Sequence, residues 1–149
     1  METYRYYYVK EDGKMFRSDV PDPNAIEVDE MMQPIISILN EKGFKTFACC
    51  SGHICPISCE GETLDAPANA YIRFNDSVVN MINNGFKLPS GFKFDIPDEG
   101  SSPNGPCTIR KIYYSKSDLW TQILETMGVL YRWALNLPYV NKREVVNNG

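Results

Sequence analysis

Apolar residues recur along this chain at two periods, and the periods predict its elements. Residues 4–10 form an aromatic-rich β-type run that ends in Glu11-Asp12-Gly13-Lys14, whose Asp-Gly predicts a hairpin turn. Met15, Phe16 and Arg17 supply a short return strand, and residues 19–24, with Pro21 and Pro23, read as a loop. A helix follows over residues 29–42. Met31, Met32, Ile35, Ile36 and Leu39 line one face of it, Asp29 is placed to cap its start, and Gly43 to stop it. Pro34 fits within the first turns, where a missing N–H leaves little unpaired. Strands are expected at residues 44–49, 70–74, 92–96 and 108–114, with a short helix at 78–83. The last helix begins after Ser117 and ends before Pro138, with Trp120, Ile123, Leu124, Met127, Tyr131 and Ala134 as one continuous apolar stripe. Gly128 interrupts it and marks a point of close packing.

The expected order is β-β-α-β-β-α-β-β-α. It predicts an α/β or α+β fold: one domain over residues 1–149, with a mixed β-sheet covered by two main helices and a short one. A Cys/His-rich loop spans residues 49–69 and a frayed tail spans 139–149. The chain has 149 residues and is 43% hydrophobic, enough for a single real core. No run approaches the ~20 apolar residues of a membrane span. The tyrosine-rich start lacks the apolar region of a signal peptide, which predicts a cytoplasmic protein whose thiols stay reduced.

Formal net charge is -4 and the isoelectric point about 5.0, which argues against a dedicated nucleic-acid binder. Acidic residues gather at Asp19, Asp22, Glu27, Asp29 and Glu30, and again at Asp95, Asp98 and Glu99, as expected of solvated loops. Tyr6, Tyr8, Tyr71, Phe74, Tyr113 and Tyr114 fall in strands, where core packing and a tyrosine-edged surface outweigh base stacking.

Chemistry is concentrated in one place. Four of the five cysteines and the only histidine lie in Cys49-Cys50-Ser51-Gly52-His53-Ile54-Cys55-Pro56-Ile57-Ser58-Cys59. As a metal site, Cys50 and His53 supply two ligands from one turn and Cys55 and Cys59 two more, a set suited to zinc. Cys49 points the other way if the strand persists, and Cys107 can join from a neighbouring strand. As a catalytic site, Cys50 and His53 form a thiolate–imidazolium pair. As a binding site, Ser51 and Gly52 present backbone N–H groups to a phosphate or carboxylate, with His53 and Arg73 contacting the ligand. The plain alternative keeps Cys49 in the core, Cys50 at the strand end, and Cys55 and Cys59 as bystanders. Partners are therefore a small ligand or another protein, with no membrane, and the oligomeric state is open.

Residues 29–46 running into Cys50-Ser51-Gly52-His53, then Tyr71-Ile72-Arg73-Phe74, resemble a group of small bacterial and phage proteins. Those share an LN-x-KG-[YF]-KT … CSGH … YI-x-F pattern. That resemblance implies a phage-type role in host conflict, inhibiting a defence protein or binding its signal. A shorter stretch is similar to the methyltransferases that act late in wybutosine synthesis on transfer RNA. Their strand runs into Cys-[Ser/Ala]-Gly-Arg, and His53 stands at the arginine position here. That second resemblance implies S-adenosylmethionine as methyl donor.

Overall fold

In a computed structural model of the chain, residues 6–52, 68–95, 104–114 and 118–140 are described. The tyrosine-rich run forms strand β1 (Tyr6–Val9) and folds back at Asp12-Gly13 into β2 (Met15–Ser18). The turn is closed by Lys10 N–H to Lys14 O at 2.8 Å, and the Asp12 carboxylate accepts from Lys14 N–H at 2.9 Å. A third strand, β3 (Ile26–Val28), pairs antiparallel with β1. Sequence periodicity did not predict it, because three residues are too few to show an alternation.

Helix α1 (Gln33–Lys42) comes next, then β4 (Thr46–Cys50), β5 (Asn69–Phe74), α2 (Val78–Asn83), β6 (Lys93–Phe94), β7 (Cys107–Ile112) and α3 (Leu119–Asn136). The strands divide into two antiparallel sheets, ordered β2-β1-β3 and β4-β5-β7-β6. The architecture is α+β: the expected strands after α1 make one sheet, and the N-terminal hairpin with β3 makes its own. Ser117, expected to cap the last helix, lies outside the described residues.

Strand alternation separates the two faces of the larger sheet. Ala70, Ile72 and Phe74 point inward and are fully buried, while Asn69, Tyr71 and Arg73 point outward. Cys49, Ile72, Ile109 and Phe94 share the inner face through their register. The buried residues of all three helices join this face in one core: Met32 just before α1 with Ile35, Ile36 and Leu39 of α1, Met81 of α2, and Ile123, Met127, Leu130 and Ala134 of α3. Phe86 sits at its aromatic centre, 5.4 Å from the Phe74 ring, 5.7 Å from Phe44 and 5.7 Å from Trp133.

Two expectations need correction. The α3 stripe is wider than the core needs: Ile123, Met127 and Ala134 are buried, but Trp120, Leu124 and Tyr131 face outward. The tail is not loose from residue 139, because Val140 N–H donates to Lys42 O at 2.8 Å and Val140 packs on Gly43. Residues 141–149 lie outside the described residues.

Polar side chains on α1 fasten it to the strands. Gln33 Nε2 donates to Tyr8 O and Phe16 O at 3.1 and 3.0 Å, bridging the first hairpin. Asn40 donates to Thr46 Oγ1 at 2.9 Å and accepts from Thr46 N–H at 3.1 Å, which sets the start of β4. Each of these groups is buried, so each bond also avoids the ~1–3 kcal/mol penalty of an unpaired polar atom.

Candidate functional site

Strand β4 delivers Cys50, Ser51 and Gly52 to the edge of the sheet. Two long-range contacts hold the turn. Asp29 accepts from Met32 N–H through Oδ1 at 3.0 Å and from Ser51 N–H through Oδ2 at 2.9 Å. One carboxylate thus serves the turn leading into α1 and also the strand end twenty-two residues later. It is not the helix cap expected of it, because α1 starts at Gln33 and its N-cap position is Met32. From the other side Tyr113 Oη donates to Ser51 O at 2.9 Å, and Tyr113 N–H donates to Ala68 O at 2.9 Å. Ser51 is only 1% exposed. Its backbone N–H and C=O are both committed, so Ser51 shapes the turn and its N–H is not offered to a ligand.

Gly52 takes φ 110°, and a Cβ there would lie 2.3 Å from Tyr113 Cε2. The strand-end turn predicts a glycine whose N–H is open to a ligand. The structure gives it a second duty: it lets the backbone pass against the Tyr113 ring. Its N–H donates to Cys50 Sγ at 3.4 Å.

Cys50 heads a row across the outward face, because it stands opposite Tyr71, Tyr71 opposite Arg110, and Arg110 opposite Lys93. The Arg73 guanidinium lies 5.3 Å from the Tyr71 ring centroid and that of Arg110 lies 5.0 Å away. Arg110 is held in place. Its Nε and Nη2 grip the Asp95 carboxylate, with Nη2 to Oδ2 at 2.9 Å, and Nη1 donates to Asn69 Oδ1. Burial raises the Tyr71 phenol pKa, the Cys50 sulfur adds to that, and the two guanidiniums work against it.

The predicted site residues thus separate. Cys50, Ser51, Gly52 and Arg73 come together at the β4 end and on the sheet face beside it. His53, Cys55 and Cys59 lie outside the described residues. Among the described residues no group of three or more His, Cys, Asp or Glu is placed to hold a metal ion. Cys107 does not join: it pairs with Phe74, three steps along β5 from the Tyr71 row, or about 10 Å. Cys49 packs against the core, where burial pushes its thiol pKa up and nearby Asp29 adds to the effect. Asp29, Tyr71, Arg110 and Tyr113 were not among the predicted site residues. The β-register brings Tyr71 and Arg110 there, and hydrogen bonds to Ser51 bring Asp29 and Tyr113, so local spacing carries no trace of any of them.

Compared with family models, with curated proteins and with solved structures, the chain matches none. No helix among the described residues is long and apolar enough to cross a membrane.

The buried acids have a consequence in alkali. Burial pushes the Cys107 thiol from 9.0 up to about 11 and raises the Tyr113 phenol above its usual value. The unfolded chain therefore releases these protons first as pH rises. It binds fewer protons than the native state above about pH 9, so stability falls from there towards pH 11. Lys42 acts the opposite way. Burial lowers its pKa, although Glu41 opposes this, so the native chain sheds that proton first. The expected outcome is a urea midpoint that drops between pH 9 and 11, with a shallower drop in Cys107→Ala. An equal drop in that variant would remove Cys107 from the account.

Proposed function

We propose that this chain is a binding protein for a small anionic ligand, phosphate- or carboxylate-bearing, taken at the β4 end beside Cys50. The observation that carries this reading is the Cys50–Tyr71–Arg110–Lys93 row with Arg73 alongside. Among the described residues, three cations on that face meet one carboxylate, Asp95, already engaged by Arg110, while Asp29 at the β4 end is engaged by the Met32 and Ser51 N–H groups. Arg73 is exposed and rests on Tyr71, so its guanidinium has donors to spare for an anion. Arg110 then acts as a fixed positive charge behind it. His53, next along the chain after Gly52, is the natural further contact. A cysteine-dependent reaction would use the same Cys50 thiol with His53 as base.

A second reading is favoured by the Gly52 N–H donated to Cys50 Sγ. That bond suits a metal-bound thiolate, with His53, Cys55 and Cys59 completing a zinc set.

One preparation of full-length protein separates the two. Thermal unfolding is followed with inorganic phosphate, 5′-mononucleotides, cyclic nucleotides and S-adenosylmethionine, for wild type and Arg73→Ala. A ligand at about 100 times its Kd adds ~2.7 kcal/mol, which raises Tm by roughly 5–10 °C for a chain of this size. The expected result is such a rise with one of these probes in wild type, largely lost in Arg73→Ala. No rise with any of them, or an equal rise in the variant, defeats the anion reading. Elemental analysis of the same protein tests zinc: near one equivalent is expected, falling in Cys50→Ser, and less than about a tenth of an equivalent excludes it.

A further inference from the structure

Helix α3 carries more apolar surface than its own fold uses. Trp120, Leu124, Tyr131 and Leu135 are 62%, 50%, 44% and 50% exposed. With Gly128 they fall at i, i+4, i+8, i+11 and i+15, a single stripe along the helix beside its buried face. Gly128 in mid-helix costs about 1 kcal/mol against alanine. Among the described residues nothing requires it, since the atom found near an added Cβ is Arg132 Nη1 at 3.7 Å. A glycine kept on an open helix face is explained by a second backbone approaching it.

The stripe is also self-complementary. Trp120 with Leu135 and Leu124 with Tyr131 share one midpoint, between Met127 and Gly128. Reversing the helix about that point lays a large ring against a leucine at all four positions. Glu125 and Arg132 are the only charged residues of α3, both exposed on the flank of the stripe. They sit two turns apart on one helix. In an antiparallel pair each Glu125 comes within about two residues, ~3 Å of axial rise, of the other copy's Arg132. A parallel pair would put the two copies' Glu125–Arg132 flanks on opposite sides of the contact, where these pairs cannot form.

We propose that this chain forms a homodimer by antiparallel packing of two α3 helices across Trp120, Leu124, Gly128, Tyr131 and Leu135. The interface is isologous: each copy gives the same patch, and the two-fold axis passes beside Gly128. Glu125 and Arg132 select the antiparallel direction, and the apolar stripe supplies the affinity.

Sedimentation velocity on the full chain from about 1 to 100 µM tests this, a range that brackets Kd values of ordinary reversible dimers. Wild type is expected to reach twice the 17.0 kDa chain mass. Leu124→Glu is expected to stay monomeric with an unchanged circular dichroism spectrum, since Leu124 is solvent-facing. Glu125→Arg and Arg132→Glu are each expected to weaken the dimer at least threefold, and the double exchange to restore it. Wild type that stays monomeric throughout overturns the proposal, as it would if the stripe served another protein. A dimer indifferent to Leu124→Glu overturns it as well. Double-exchange protein no tighter than the single variants overturns the antiparallel arrangement.

Discussion

Gly52→Ala is expected to destabilise the protein by roughly 3–5 kcal/mol and, if the proposed anion site is right, to abolish binding there. Two effects add. An L-residue at φ 110° is strained, by about 1–3 kcal/mol. The new Cβ also falls 2.3 Å from Tyr113 Cε2, 3.1 Å from Cδ2 and 3.2 Å from Asn69 O. The ring has little freedom to retreat, because Tyr113 is buried, its hydroxyl is bonded to Ser51 O and its backbone to Ala68 O. Relief therefore has to come from the backbone of the turn, which displaces Ser51 from Asp29. Urea unfolding measures the loss. A cycle with Tyr113→Leu isolates the clash: in that background the alanine should cost less, leaving mainly the strain. A loss below about 1 kcal/mol for Gly52→Ala alone would show that the turn relaxes freely and that the contact does not fix it.

Lys42→Met is expected to cost about 3–5 kcal/mol, because three carbonyls at a largely buried site lose a charged donor. The Lys42 ammonium lies at the far end of α1, where it donates to Ala134 O at 2.9 Å, Leu135 O at 2.6 Å and Leu137 O at 2.5 Å. Those carbonyls end α3, where the helix's own N–H groups run out; of the three, Ala134 O also accepts from Leu137 N–H at 3.3 Å. A cation there also meets the negative end of the α3 dipole. Methionine preserves most of the volume but returns nothing to the carbonyls, in a site where Lys42 is 7% exposed. Hydrogen exchange separates this from a general loss of stability. Amides in the last turn of α3 and at Val140, which bonds to Lys42 O, should lose protection ahead of the core strands. Equal loss everywhere would mean that the cation only adds global stability.

Some of this could be read from the chain and some could not, for physical reasons. The Asp12-Gly13 hairpin, the apolar face Met32-Ile35-Ile36-Leu39, the Gly43 stop and the short helix at residues 78–83 are local properties, and each appears where the spacing put it. The residues that lock α1 in place were invisible. Gln33, Asn40 and Lys42 look like the polar side of an amphipathic helix, yet all three are buried because strand and helix-end carbonyls wait for them. In α3 the error ran the other way. Hydrophobic periodicity reports which residues avoid water, without saying whether their own chain covers them, and half the stripe is left uncovered. At the site, Cys50-Ser51-Gly52 was legible as a strand-end turn. What braces it was not, because Asp29 and Tyr113 reach Ser51 from twenty-two and sixty-two residues away.

Such distances also order events in time. Lys42 and Leu137 are joined across ninety-five residues, and Val140 returns to the same spot. A ribosome adds about 5–20 residues per second, so the ammonium of a nascent chain waits roughly 5–20 s for its acceptors to be made. Until then α1 has its apolar face, its hairpin and β4, but its last turn is unanchored. Among the described residues, the clasp between Lys42 and the end of α3 is therefore one of the latest contacts that synthesis permits, and a chain truncated before residue 137 would keep both sheets' strands while α1 and α3 stayed unlatched.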